Sequence, residues 1–211
     1  MSGSSIEALD LAALLCSRVC HDLISPVGAI VNGLEVLEES KDEETKTFAL
    51  DLIKKSAGNA SAKLQFCRIA FGAAGSAGAQ LDLGDAETIA RGFVEDDKTK
   101  LAWNLPRALL PKNRVKLLLN MLLIAGQAIP RGGLITVDSV GEGETMGFKI
   151  TAAGAYAKIL PATAALLAGE AVAEPLDAHR IQPFYAGLLA KECGVTAAMA
   201  MEGEAVVVSA Q

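Results

Sequence analysis

Among the residues able to do chemistry, one histidine has company. His21 is followed directly by Asp22 and preceded one turn earlier by Arg18, inside a stretch from Ser17 to Asn32 with helical periodicity. At ~100° per residue, Ser17, Arg18, Ser25, Gly28 and Asn32 fall within roughly 60° of His21. Val19, Leu23, Ile30, Leu34 and Leu37 fall on the far side, with Cys16 and Val27 at its margins. The imidazole therefore points away from the apolar stripe, on a face small enough for another surface to approach closely. Such a ring is either a nucleophile or a surface accident. As a nucleophile it would be oriented through one nitrogen by Asp22, leaving the other free. Asp22 is otherwise an exposed structural acid. Arg18 either balances an incoming anion or is an ordinary solvated arginine.

Pro26 bears on the same turn. It has no backbone N–H, and its ring crowds the carbonyl four residues back, which belongs to Asp22. The helix is expected to bend or loosen just after the histidine. His21, Asp22, Leu23 and Pro26 together resemble the phospho-acceptor box of histidine kinases, which reads His, acid, aliphatic, two residues, Pro. The match departs at Ile24, where kinases usually carry a basic residue.

The elements that must position this box follow from periodicity. A first helix is expected from about Ile6 to Glu39, capped by Ser5, spanning ~50 Å. After the polar turn Ser40 to Glu43, Asp42 caps a second helix reaching about Phe71, with a stripe of Phe48, Leu52, Ala60, Leu64, Cys67 and Phe71. The pair forms a hairpin whose stripes are covered by dimerisation into a four-helix bundle or by the rest of the chain. Gly72 to Gln80 reads as a linker. It divides a helical hairpin, 1–74, from an α/β sandwich, 75–211. In the second part helices are expected at 84–96, 113–129, 161–167 and 181–193, and a strand at 100–105. Hairpins are expected at 134–152 and 195–209. The fold class is α+β.

The composition sets further bounds. The chain has 211 residues, 51% apolar and only 4% aromatic, which favours closely packed helices. Its net charge of −6, with no basic run, argues against nucleic-acid binding. Cys16, Cys20, Cys67 and Cys193 have neither metal-ligand spacing nor a disulfide framework. They read as reduced small hydrophobes in a cytoplasmic protein, with no metal. No signal peptide and no uncharged apolar run of membrane length is visible, so no membrane association is expected. His179, before the last long helix, reads as a surface or capping residue without chemistry.

The second part resembles the ATP-binding domain of histidine kinases, stripped of its ligand groups. Leu118 to Ala125 stands where that family has Asn-Leu-Leu-x-Asn-Ala. Asn120 and Ala125 match, but the magnesium-holding asparagine falls on Ile124, which offers no oxygen. The strand ending Ile150-Thr-Ala-Ala-Gly154 has alanine in place of the adenine-binding aspartate. The segment from Pro183 to Gly194 lacks the glycine pair of the phosphate lid.

The two parts together resemble the ChpT-type histidine phosphotransferases of alphaproteobacterial cell-cycle phosphorelays, on Cys20 to Ile30 with Gly33 and Leu34, and on Leu64 to Gly72. That resemblance implies a homodimer without nucleotide or cofactor. It implies that His21 accepts a phosphoryl group from the receiver domain of a hybrid histidine kinase and passes it to receiver domains of response regulators, which supply Mg²⁺. Ser17, Ser25, Gly28 and Asn32 would then make the docking face. Gln65 and Arg68 on the second helix are interface residues or merely a solvated face. The rival readings are an active autokinase, which would label His21 from ATP, and a non-catalytic dimeric scaffold, indifferent to His21→Ala.

Overall fold

The computed structural model describes residues 6–72 and 79–211. Ser5 and most of the expected linker, with the division at 74/75, lie outside the described residues.

Helix α1 (Ala8–Glu39) and helix α2 (Glu43–Ala70) form an antiparallel hairpin. Asp42 makes the turn as expected. Its Oδ2 accepts from the Thr45 N–H at 2.8 Å and the Thr45 hydroxyl at 2.6 Å, which holds its carboxyl below the usual carboxylate range. The start of α1 has no such device, because Glu7 at its N-cap makes no side-chain bond.

The seam between the two helices corrects the expected stripe. The residues α1 buries are Arg18, Pro26 and Gly33, rather than the bulkiest ones. At Gly33 the helices pack tightly: a Cβ there would lie 2.7 Å from Ile53 Cγ1. Leu34 stays exposed, and so do Val27 and Val31 on α1 and Phe48, Leu52 and Leu64 on α2.

Pro26 does not interrupt α1, which runs unbroken through it. By length and composition α1 is also apolar enough to cross a membrane, which the sequence reading did not expect. Asp10, Arg18 and Asp22 interrupt its apolar run.

Strand β1 (Gln80–Asp82) pairs antiparallel with β3 (Leu109–Pro111). Three-residue strands are too short to show a period, and neither was foreseen. The main sheet comprises β2 (Thr99–Trp103), β4 (Gly133–Val140), β5 (Gly147–Ala153), β6 (Ala197–Glu202) and β7 (Ala205–Ala210), in the order β2-β4-β5-β7-β6. Only β2–β4 is parallel. Ile135, Val137, Phe148, Ile150 and Ala152 alternate inward onto helices α3 (Leu83–Val94), α4 (Lys112–Ala128) and α6 (Ile181–Glu192), with the short α5 (Thr163–Leu167) beside α6. Each expected helix and hairpin is present within a few residues of its expected bounds.

α4 is the centre of this core, buried without a break from Val115 to Ala125. The end of α2 enters the same core. Phe66 and Ala70 are buried there, and the Phe66 and Phe93 rings stand 4.2 Å apart. The Ala70 carbonyl accepts from Asn120 Nδ2 at 3.0 Å. The hairpin is thus joined to the sandwich through packing as well as through the chain.

Candidate functional site

His21 sits halfway along the hairpin rod, with 59% of its side chain exposed. Its Nδ1 lies 3.5 Å from Asp22 Oδ1, which leaves Nε2 unengaged by that carboxylate. Asp22 Oδ2 meets Arg18 Nη2 at 3.2 Å. This ion pair is largely removed from water, the side chains being 9% and 13% exposed. Arg18 therefore corrects its sequence reading. It is neither solvated nor free for an incoming anion; it turns toward α2 and holds Asp22. Its Nε is buried with no hydrogen-bond partner among the described residues.

The carbonyl that Pro26 deprives of its helical donor is the Asp22 carbonyl, and α2 supplies a substitute. Lys63 Nζ donates to it at 3.0 Å. The expected loosening after His21 is thereby offset from outside the helix. Lys63 was not singled out in the sequence, because nothing local links it to a carbonyl 41 residues earlier. Cys67 lies behind this group; burial first, and the Asp22 charge second, push its thiol up to about 11.

The rest of the expected face is where the helical wheel places it. Ser17, Ser25 and Asn32 are exposed, and Gly28, half-buried, has open space where a Cβ would stand. Gln65 and Arg68 are exposed on α2, and the Lys63 contact sets them near the height of the box. Gln65 Nε2 donates to Ser61 at 3.3 Å.

A second imidazole joins the site from far along the sequence. The His179 ring stands 5.5 Å from that of His21, at 77° to it. The segment before α6 carries it. Asp177 Oδ1 accepts from the Arg180 and His179 N–H groups at 2.8 and 2.9 Å, and these bonds, Arg180 first, lower its pKa. Arg180 pairs with Glu174 at 2.7 Å. A separate apolar cluster of Leu166, Ile181 and Phe184 packs on Leu11, Leu14 and Leu15, docking this segment onto the start of α1.

The residues that the sequence reading compared with a kinase nucleotide site lie in the core. Asn120, Ile124 and Ala152 are fully buried. Asn120 Nδ2 also donates to the Lys116 carbonyl at 2.7 Å, and its Oδ1 accepts from Gln182 of α6. Gly154 has a packing reason of its own, since a Cβ there would strike the Gly132 carbonyl. Among the described residues, no group of three or more His, Cys, Asp or Glu is placed to hold a metal ion.

The site is an exposed imidazole beside a carboxylate, carried on a helical hairpin over an α/β sandwich. Residues 83–205 match the family model of the histidine phosphotransferase C-terminal domain. The chain is 53% identical over 207 residues, 98% of each chain, to the protein phosphotransferase ChpT of Brucella abortus (strain 2308). It superposes on the solved structure of a bacterial phosphotransferase over the whole of both chains, with a TM-score of 0.89 and 49% identity. The chain belongs to the histidine phosphotransferase family.

Proposed function

We propose that His21 is the phosphoryl acceptor of a bacterial phosphorelay. It takes the group from a receiver aspartate of a hybrid histidine kinase and gives it to receiver aspartates of response regulators. The carrying observation is the exposed His21 ring with its Nδ1 beside Asp22, which leaves its Nε2 unengaged by that carboxylate. The Nε2 lone pair attacks phosphorus, the N–P bond forms as the P–O bond breaks, and the receiver aspartate leaves as a carboxylate. The proton stays on Nδ1, where Asp22 balances the ring's positive charge. The receiver brings its own Mg²⁺. Ser17, Ser25, Gly28 and Asn32, with Gln65 and Arg68 alongside, form the docking face.

The protein does not bind ATP in this reading. Burial of Asn120, Ile124 and Ala152, with α6 packed on α4, supports this. It acts as a homodimer in the cytoplasm. The exposed Val27, Val31, Leu34 and Phe48 form an apolar face across both helices, and a second copy covers it as a four-helix bundle. A bilayer would not serve as cover. α2, packed along α1, carries exposed Asp51, Lys54 and Lys55, and a hydrocarbon interior penalises each.

The test is reconstituted transfer from a radiolabelled phosphorylated receiver domain, with His21→Ala and an ATP-only reaction alongside. Label on wild type from the receiver alone is the expected result. Label taken from ATP would make the protein a kinase, and transfer unaffected by His21→Ala would remove His21 from the reaction.

A further inference from the structure

We propose that His179 is a second member of the phosphotransfer site, donating a ring N–H to the phosphoryl group while His21 carries it. This rests on His21 being the acceptor.

Three observations carry the assignment. The first is proximity: the two rings stand edge to face, 5.5 Å between centroids, although 158 residues separate them. Both rings are on exposed residues, so a group arriving at the His21 ring comes close to His179. The second is that the placement is built. Asp177 fixes the backbone of His179 and Arg180, the Arg180–Glu174 pair ties the segment to itself, and Leu166, Ile181 and Phe184 fasten it to α1. A residue on an unattached loop would have none of these supports. The third is charge. Asp22 lies against the nucleophile and repels an incoming phosphoryl group. Arg18, which stands next to it, is committed to that carboxylate, and Lys63 donates to the Asp22 carbonyl. An imidazole next to His21 supplies a donor to the phosphoryl oxygens.

His179 exchanges no proton in the net reaction. The phosphoryl group moves from the aspartyl oxygen to His21 Nε2, and the aspartate departs as a carboxylate. The His179 N–H bonds a phosphoryl oxygen during transfer and in the phosphohistidine, and the same contact serves the onward step in reverse. The segment before α6 thereby becomes part of the reacting surface, and a receiver docked on α1 touches it too.

The experiment compares His179→Gln, which keeps an N–H donor, with His179→Phe, which keeps a ring, and His179→Ala, which keeps neither. Each full-length variant receives label from the same phosphorylated receiver domain under rapid quench. Phosphoramidate serves as a second donor that needs no docking, and His21→Ala is the blank for both. Phe and Ala are expected to slow transfer about tenfold from either donor, the size of one hydrogen bond to a charged group, with Gln within about twofold of wild type. Wild-type rates in the Phe variant, or Gln as slow as Ala, would overturn the assignment while His21-dependent labelling persists. Loss of His21-dependent labelling in wild type itself would instead overturn the reading of His21.

Discussion

The hairpin and the sandwich bury their apolar residues in opposite ways. α4 is enclosed continuously from Val115 to Ala125, and the sheet presents alternate residues to it. α1, almost twice as long, buries Arg18, Pro26 and Gly33 and leaves Ile24, Val27, Val31 and Leu34 exposed. The sandwich has a core of its own, whereas the hairpin leaves apolar surface open. The proposed relay would use both: one part that holds its shape alone, and one whose surface is open to others.

Charge placed in each part sharpens the contrast. Leu122→Asp puts a carboxylate in the fully buried centre of α4 and is expected to unfold the protein, costing several kcal/mol. Leu34→Asp, on the open face of α1, is expected to leave the fold and the melting transition of each protomer nearly unchanged. It should weaken the dimer at least about thirtyfold. Circular dichroism and sedimentation equilibrium read the two effects separately. A Leu34→Asp variant that stays dimeric would mean the open face has a different occupant.

The next effect in size crosses the boundary between the two behaviours, because the hairpin does bury one charged pair. Asp22→Ala leaves Arg18 enclosed without its partner and is expected to cost about 3 kcal/mol in urea unfolding, well beyond a surface ion pair. The same variant frees His21 Nδ1, so transfer should slow more than stability alone accounts for. The smallest effect belongs to Lys63→Met, which returns the Asp22 carbonyl to the unpaired state Pro26 created. About 1 kcal/mol is expected, with faster amide exchange confined to the turn around His21. Uniform exchange along α1 would show that the proline turn has no special dependence on α2.

What was legible in the sequence divides along the same line. Long periodic segments, the Asp42 cap and both main-sheet hairpins were readable because their signals are local. The face of His21 was readable for the same reason, since a helical wheel needs only spacing. The side of that face meeting α2 was not. Arg18 stands at its edge, and small residues flank it on both sides, so periodicity alone could not say that the arginine turns inward. Lys63 and His179 act across 41 and 158 residues and leave no trace in spacing. Both were visible only once tertiary structure brought them to the box. The departures from the kinase pattern at Ile124 and Ala152 were legible in the sequence, but not the hydrogen bonds that Asn120 makes to Ala70, Lys116 and Gln182.

The bond from Lys63 to the carbonyl beneath Pro26 also settles a matter of alignment. Two antiparallel helices with small residues along their seam can slide past one another by a turn, ~5.4 Å, and still pack. Here such a slip would strand one particular carbonyl that no residue of its own helix can reach, and separate Lys63 from it. The proline therefore acts as a notch and the lysine as its catch. Together they fix how high His21 rides on the rod, and so keep it level with the loop docked from the sandwich.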